Sequence, residues 1–217
     1  MSREGIPTVL GLLGFAAFLA FLGWKYGNVL MLVIAGLFAG AGLFSIYFFR
    51  DPLRTPPNDP FAIVSPCDGT VIEIEKVEEP EYMQAKAERI SIFMSVFNVH
   101  VNYVPYRGVV EFMRYVHGRY YRADLPQASK HNVHILTGVL TPYGKMVFKQ
   151  STGAIARRLV NHLKIGDQVQ TGQKFGIIKF GSRMEVYLPA CAKVNVKIGD
   201  KVTAGESVIA RIDEKEK

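Results

Sequence analysis

Cysteine is nearly absent from this chain: Cys67 and Cys191 are the only two in 217 residues. They are too few and too far apart for a disulfide framework or a cysteine-based zinc site, and read as ordinary buried thiols of a reducing compartment. Charge is missing from the start of the chain, where Lys25 is the only charged residue between Gly5 and Phe49. Blocks of like charge are missing too. The net charge is +7, but the lysines and arginines are dispersed, which argues against a nucleic-acid-binding tail. A basic chain of this kind suits anionic lipid headgroups or, equally, a plain soluble surface. No Met-Lys-Met or Asp-Lys-Ala sequence occurs, which argues against a lysine-borne swinging cofactor. Apolar residues are not scarce: 49% are hydrophobic and 12% aromatic, enough to bury a core.

The uncharged N-terminal stretches, Gly5–Trp24 and Tyr26–Phe49, each reach about 30 Å or more as a helix, enough to cross a bilayer. The turn between them, Lys25-Tyr26-Gly27-Asn28, is short, so residues 1–50 are expected to form an antiparallel transmembrane hairpin. Gly36 and Gly40 form a GxxxG pattern that allows close helix contact. Trp24, Tyr26, Tyr47, Phe48 and Phe49 fall near the expected interfaces. Two other readings are a signal peptide over the first stretch and a hairpin dipping into one leaflet. The first fits poorly, because a second span begins at once. Arg3, Arg50 and Arg54 against the lone Lys25 orient both termini to the cytoplasm.

Residues 51–60 are rich in proline and polar residues and read as a linker. From 61 to 217 the pattern is short β-like runs punctuated by glycine and proline: 71–75, 90–94, 99–104, 109–116, 134–140 and 145–148. The run 155–163 fits either a strand or a short helix. The fold class expected is mainly β, a barrel or sandwich with few helices. A repeat supports it. Lys164-Ile165-Gly166-Asp167-Gln168-Val169 recurs 33 residues on as Lys197-Ile198-Gly199-Asp200-Lys201-Val202. Two copies are too few for a solenoid and suit two related hairpins. These turns, with Ser65-Pro66-Cys67-Asp68-Gly69, resemble those of lipoyl- and biotinyl-type domains.

The chemistry-bearing residues are few. Gly181-Ser182 can undergo self-cleavage: a residue without Cβ lets an attacker reach its carbonyl, and the next residue brings a hydroxyl. Attack by Ser182 Oγ turns the amide into an ester, and β-elimination followed by hydrolysis leaves a pyruvoyl group, a ketone that can take an amine as a Schiff base. Most Gly-Ser pairs are simply turns. Asp68 is a carboxylate that could orient an imidazolium or merely close an Asp-Gly turn. His100, inside the apolar run Val99-His100-Val101, is a base or a satisfied strand histidine. His131 and His134 sit at i, i+3 without a third ligand nearby, so no metal site is expected. Arg157 and Arg158 could bind a carboxylate or phosphate, or be surface arginines.

Taken in order, several segments resemble the phosphatidylserine decarboxylases, specifically their short membrane-anchored prokaryotic form. They are Ser65-Pro66-Cys67-Asp68-Gly69, Arg89-Ile90-Ser91-Ile92-Phe93-Met94-Ser95, Phe97-Asn98-Val99-His100-Val101-Asn102, Gly153-Ala154-Ile155-Ala156-Arg157-Arg158 and Phe180-Gly181-Ser182-Arg183-Met184-Glu185. The resemblance implies a proenzyme cut between 181 and 182 into a β chain, 1–181, and an α chain, 182–217. Ser182 becomes the pyruvoyl cofactor, and Asp68 and His100 act in self-cleavage. The implied substrate is a membrane phospholipid whose serine headgroup loses CO2. Phe97 departs from the pattern, since some members carry a second histidine there. Two alternatives remain: archaetidylserine as substrate, and a non-enzymatic, membrane-tethered lipoyl-like adaptor that would stay uncut. A homo-oligomer is left open.

Overall fold

The computed structural model describes residues 1–154, 158–179 and 182–213. It divides into two units, Met1–Pro52 and Leu53–Lys217. In the first, α1 (Ile6–Tyr26) and α2 (Val29–Phe48) are apolar on all sides and long enough to cross a membrane by length and composition. Gly27 ends α1 in the left-handed conformation (φ 63°), and Asn28 starts α2 by accepting from Met31 N at 3.2 Å. The close contact between the helices is not made by Gly36 and Gly40, where a Cβ would meet nothing within 4 Å. It is made by Gly42, where a Cβ would stand 2.5 Å from Leu13 Cδ2, and Gly23, where it would stand 2.9 Å from Leu32. Gly36 and Gly40 are exposed, whereas Ala35 and Gly42 are buried.

The second unit is built of β1 (Ala62–Val64), β2 (Gly69–Glu79), β3 (Ala85–Met94), β4 (Val101–Tyr103), β5 (Gly108–Val116), α3 (Pro126–His131), β6 (His134–Thr141), β7 (Gly144–Ser151), β8 (Arg158–Asn161), β9 (Gln168–Val169), β10 (Lys174–Lys179), β11 (Ser182–Leu188), β12 (Ala192–Val194), β13 (Lys201–Val202) and β14 (Val208–Ile212). It is mainly β, as expected, and most strands overrun the apolar runs that announced them. Of the ambiguous run 155–163, residues 158–161 are strand; 155–157 lie outside the described residues.

Among the described residues, eight strands form one curled antiparallel sheet in the order β13-β2-β3-β11-β7-β6-β5-β9. The two small sheets run β1-β14-β12 and β4-β10-β8. The large order is symmetric about its centre when β13, β2, β3 and β11 are matched with β9, β5, β6 and β7, and the small sheets match each other in the same way, so the unit consists of two like halves. One half is β1 to β3 with β11 to β14. The other, β4 to β10, is inserted into it between Met94 and Ser182. The 33-residue repeat belongs to this larger duplication. Gly166 N donates to Val110 O and Gly199 N to Val71 O, each at 2.8 Å, and both glycines have φ 96°. Thus the repeated turns flank the two outer parts of one sheet rather than forming neighbouring hairpins.

Gly69 and Gly108 also correspond. A Cβ on Gly69 would lie 2.3 Å from Phe93 O, and one on Gly108 2.4 Å from Leu140 O. Backbone cannot yield as a side-chain tip can. Gly69→Ala is therefore expected to destabilise the unit by roughly 1–3 kcal/mol, read as a lowered melting temperature of the full chain in detergent.

The sheet has two unlike faces. Ile90, Ile92, Met94, Phe148, Met184, Val186 and Leu188 point into the main apolar core. Alternation sends Arg183, Glu185 and Tyr187 to the other face, with Lys149, Ser91 and Arg89 beside them. Both cysteines are buried and free, as expected. Burial, then neighbouring Asp68, pushes the Cys67 thiol up, so it is unreactive.

Candidate active site

Ser182 is the first residue of β11 and fully buried. It pairs with Met94 across β3, and its Oγ lies 3.1 Å from Met94 Sδ. Thioether sulfur is a weak acceptor, so this hydroxyl is not tied up as buried hydroxyls usually are. In the other half, the matching pair Thr141 and Gly144 is joined by a two-residue turn. At Ser182 the same hairpin is opened: the chain leaves at Met94, builds the second half and returns. The candidate cleavage point is that return. Gly181 itself lies outside the described residues.

The outgoing crossover carries the histidine. Residues 95–98 form a tight turn in which Asn98 Oδ1 accepts from Ser95 N (2.9 Å) and Ser95 Oγ (2.8 Å). His100 follows, fully buried, with Nδ1 2.9 Å from Asn98 O. A carbonyl only accepts, so in the neutral ring Nδ1 carries the proton and Nε2 keeps its lone pair, the form a general base needs. His100 O accepts from Ile178 N at 3.3 Å, four residues before Ser182. The two crossovers between the halves thus hold His100 and Ser182 at one rim of the sheet.

Asp68 sits at this rim on the other side of β3. Thr70 pairs with Phe93 while Ser182 pairs with Met94, so the two backbones are two strand spacings apart, about 10 Å. Both Asp68 oxygens lie 3.1 Å from Arg54 Nη2, and Oδ1 also accepts from Ala204 N at 2.8 Å. The carboxylate therefore ties the start of the unit to the turn before β14. Arg158 is exposed and pairs with Lys179 at the end of β10; Arg157 lies outside the described residues. His134 Nδ1 is 2.7 Å from Asn132 O, and burial pushes the ring's pKa down, so it stays neutral. His131 packs edge-on to Tyr121. Among the described residues no group of three metal-ligating side chains forms.

The structure adds residues that the sequence reading did not single out. Asn102 and Gln150 are fully buried behind Ser182. Gln150 Nε2 donates to Asn102 Oδ1 at 2.9 Å, and Asn102 Nδ2 faces Met94 Sδ at 4.0 Å. The available signal was a polar residue in the inward phase of a buried strand; Gln150 pairs with Met184. On the opposite face, Arg183 is fully buried. It lies against Glu73, donates to Ser91 Oγ at 2.8 Å and places Nε 2.8 Å from Glu185 Oε1. Glu185 Oε2 is 2.7 Å from Lys149 Nζ and accepts from Tyr187 OH at 2.9 Å. α3 closes this cluster: Ser129 O accepts from Lys149 and Ser129 Oγ from Arg89.

A family model described as phosphatidylserine decarboxylase matches residues 41–210. The chain belongs to the phosphatidylserine decarboxylase family. It is 42% identical over 213 residues to the phosphatidylserine decarboxylase proenzyme of Desulfotalea psychrophila, covering 98% of this chain and 96% of that one. To the proenzyme of Salinibacter ruber it is 46% identical over 192 residues, covering 87% and 82%. To that of Symbiobacterium thermophilum it is 39% identical over 213 residues, covering 98% and 95%. The likeness to these phosphatidylserine decarboxylases therefore takes in both the apolar helices and the β unit. Phe97 is exposed on the 95–98 turn, leaving His100 as the buried imidazole of this segment.

Proposed function

We propose that this chain is a self-processing phosphatidylserine decarboxylase that converts the serine headgroup of a membrane phospholipid to ethanolamine with release of CO2. The observation that carries the reading is Ser182: a buried hydroxyl without a strong acceptor, at the single return crossover into β11. In maturation, His100 Nε2 takes the Ser182 proton and Oγ attacks the Gly181 carbonyl, giving an ester in place of the amide. β-Elimination releases residues 1–181 with a terminal carboxylate. Hydrolysis of the dehydroalanine left at position 182 expels ammonia and makes the pyruvoyl group.

The surroundings fit that group. Met94 and Met184 exclude water, and β11 stays paired with β3 and β7 when the bond before it is cut. The pyruvoyl ketone supplies an electron sink for loss of CO2 from an amine-bearing carboxylate. Arg157 and Arg158 are the side chains assigned to the anionic headgroup, and His100 returns a proton to the decarboxylated carbon. Asp68 supports self-cleavage through the rim it holds together. The apolar hairpin anchors the enzyme with its catalytic unit on the cytoplasmic side, as the positions of Arg3, Arg50 and Arg54 favour.

The test is fragment mass spectrometry of the purified full chain, with headgroup analysis after incubation in phosphatidylserine vesicles. A pyruvoyl-blocked 182–217 fragment and ethanolamine lipid are expected. An uncut, folded chain that leaves the lipid unchanged would instead support the adaptor reading; faster turnover of an ether-linked serine lipid would support archaetidylserine as substrate. His100→Ala is expected to slow self-cleavage by roughly a hundredfold or more, followed as band conversion over time. Asp68→Asn keeps an acceptor for Ala204 N but loses the charge. It is expected to slow cleavage at least about tenfold; cleavage at the wild-type rate would remove Asp68 from any part in self-cleavage.

A further inference from the structure

The second unit exposes eight large apolar side chains among its described residues: Leu53, Phe97, Tyr115, Tyr120, Leu125, Leu140, Ile165 and Ile198. Ile165 and Ile198 occupy the repeated turn of the two halves and cancel. Of the other six, only Leu140 lies at the far rim, where β6 meets Lys145 of β7. Leu53 adjoins Arg54, which is fixed to Asp68. Phe97 tips the turn between Met94 and His100. Tyr115 is one residue from the end of β5, at the rim where Val116 pairs with His134, and His134 with Ser151 beside Arg183. Tyr120 and Leu125 stand on the connection from β5 to β6. The matching connection of the other half, between β2 and β3, is short and lies at the far rim. Like halves would distribute these residues evenly; five on the Ser182 rim against one is a departure from that symmetry.

The rim is also built and basic. Asn132, fully buried, fixes the connection by accepting from Tyr121 N and donating to Tyr121 O and Thr152 O, each at 2.8 Å. Residues 117–131 carry Arg119, Arg122 and Lys130 against one acid, Asp124, which pairs with Arg122 at 2.8 Å. Tyrosines with cations are the composition of a water–bilayer interface. Scattered apolar residues on a soluble surface show no such bias to one rim.

We propose that this rim is a bilayer-docking surface: Phe97, Tyr120 and Leu125 enter the headgroup layer of an anionic membrane, with Arg119 and Lys130 on its phosphates. The proposal rests on the reading of Ser182 as a lipid-decarboxylating centre only in the choice of occupant. The rim would then deliver a headgroup to Ser182 without the lipid leaving the membrane.

The test places a single tryptophan in the full-length chain, Tyr120→Trp in a Trp24→Phe background, in vesicles containing phosphatidylserine and lipid brominated near the headgroup. Ile165→Trp, at the far rim, is the control. Quenching several-fold stronger at position 120 than at 165 is expected, weakening when Arg119→Glu and Lys130→Glu are added. Equal or absent quenching in protein that self-cleaves and decarboxylates overturns the proposal and leaves the enzymatic reading intact. Strong quenching at 120 without decarboxylation leaves the docking rim and removes the enzymatic reading. A blue shift without quenching, with a cross-linked dimer, assigns the rim to a second copy of this chain and overturns lipid docking.

Discussion

Ser182→Ala is expected to leave the chain as one 24.2 kDa piece and to abolish decarboxylation. The substitution removes one buried oxygen whose contact is a thioether at 3.1 Å. Its cost to the fold is small, within about 1 kcal/mol, because no strong hydrogen bond is lost. Loss of function is total because Ser182 supplies the nucleophilic oxygen, which leaves with residues 1–181, and its remaining carbons become the electron sink. Gel separation and lipid headgroup analysis read the two losses together, and an unchanged melting temperature separates them from misfolding. Wild-type protein is expected to remain one particle after the cut. Residues 182–212 supply the centre of the large sheet through β11, the partners of β1 through β14 and of β2 through β13. A cut that retains all of these pairings opens a connection without removing a layer. Ser182→Cys gives a finer result. It keeps a nucleophile, and added hydroxylamine should cleave any thioester formed at Gly181.

Much of this arrangement could be read in the sequence, and what could not has a common cause. The apolar helices, the glycine-punctuated strands and the Gly-Asp turns are local patterns, and local patterns survive in one dimension. The Gly166 and Gly199 turns were visible because their φ values demand glycine. Their membership in two interleaved halves was not visible, since one half is split around the other and its strands are 88 residues apart at Met94 and Ser182. The Gly36/Gly40 pattern had the right spacing but makes no tight helix contact, because spacing fixes a face but not how closely a neighbour approaches it. Asn102 escaped notice inside an apolar run, and Gln150 among the polar residues Lys149, Ser151 and Thr152 that follow the run 145–148. The alternation Ser182-Arg183-Met184-Glu185 also encodes the second face of β11. Two charges in one phase of a buried strand must be paired on the opposite face from the serine.

That pairing sets the largest expected effect on stability. Glu185 is fully buried among Lys149, Arg183 and Arg89. Burial alone would raise its carboxyl, but Lys149, then Arg183 and Arg89, outweigh it and hold the pKa at about 2, against 4.5 in the unfolded chain. Glu185→Gln keeps the shape and deletes the charge. It leaves Lys149 and Arg183 buried without their shared anion and is expected to cost roughly 3–5 kcal/mol of stability, a large part of what a domain of this size holds. The pH dependence gives the confirming sign. A depressed carboxyl contributes its stability fully above pH 4.5 and loses it as pH falls towards about 2, because the unfolded chain takes up the proton first. Wild-type melting temperature should therefore drop steeply over that window, and the drop should be shallower in Glu185→Gln. The same substitution should slow self-cleavage, because Arg183, the residue next to Ser182, is anchored through this cluster. Should the variant melt and cleave as the wild type does, the cluster would be a tolerated burial rather than the clamp that sets Ser182 in place.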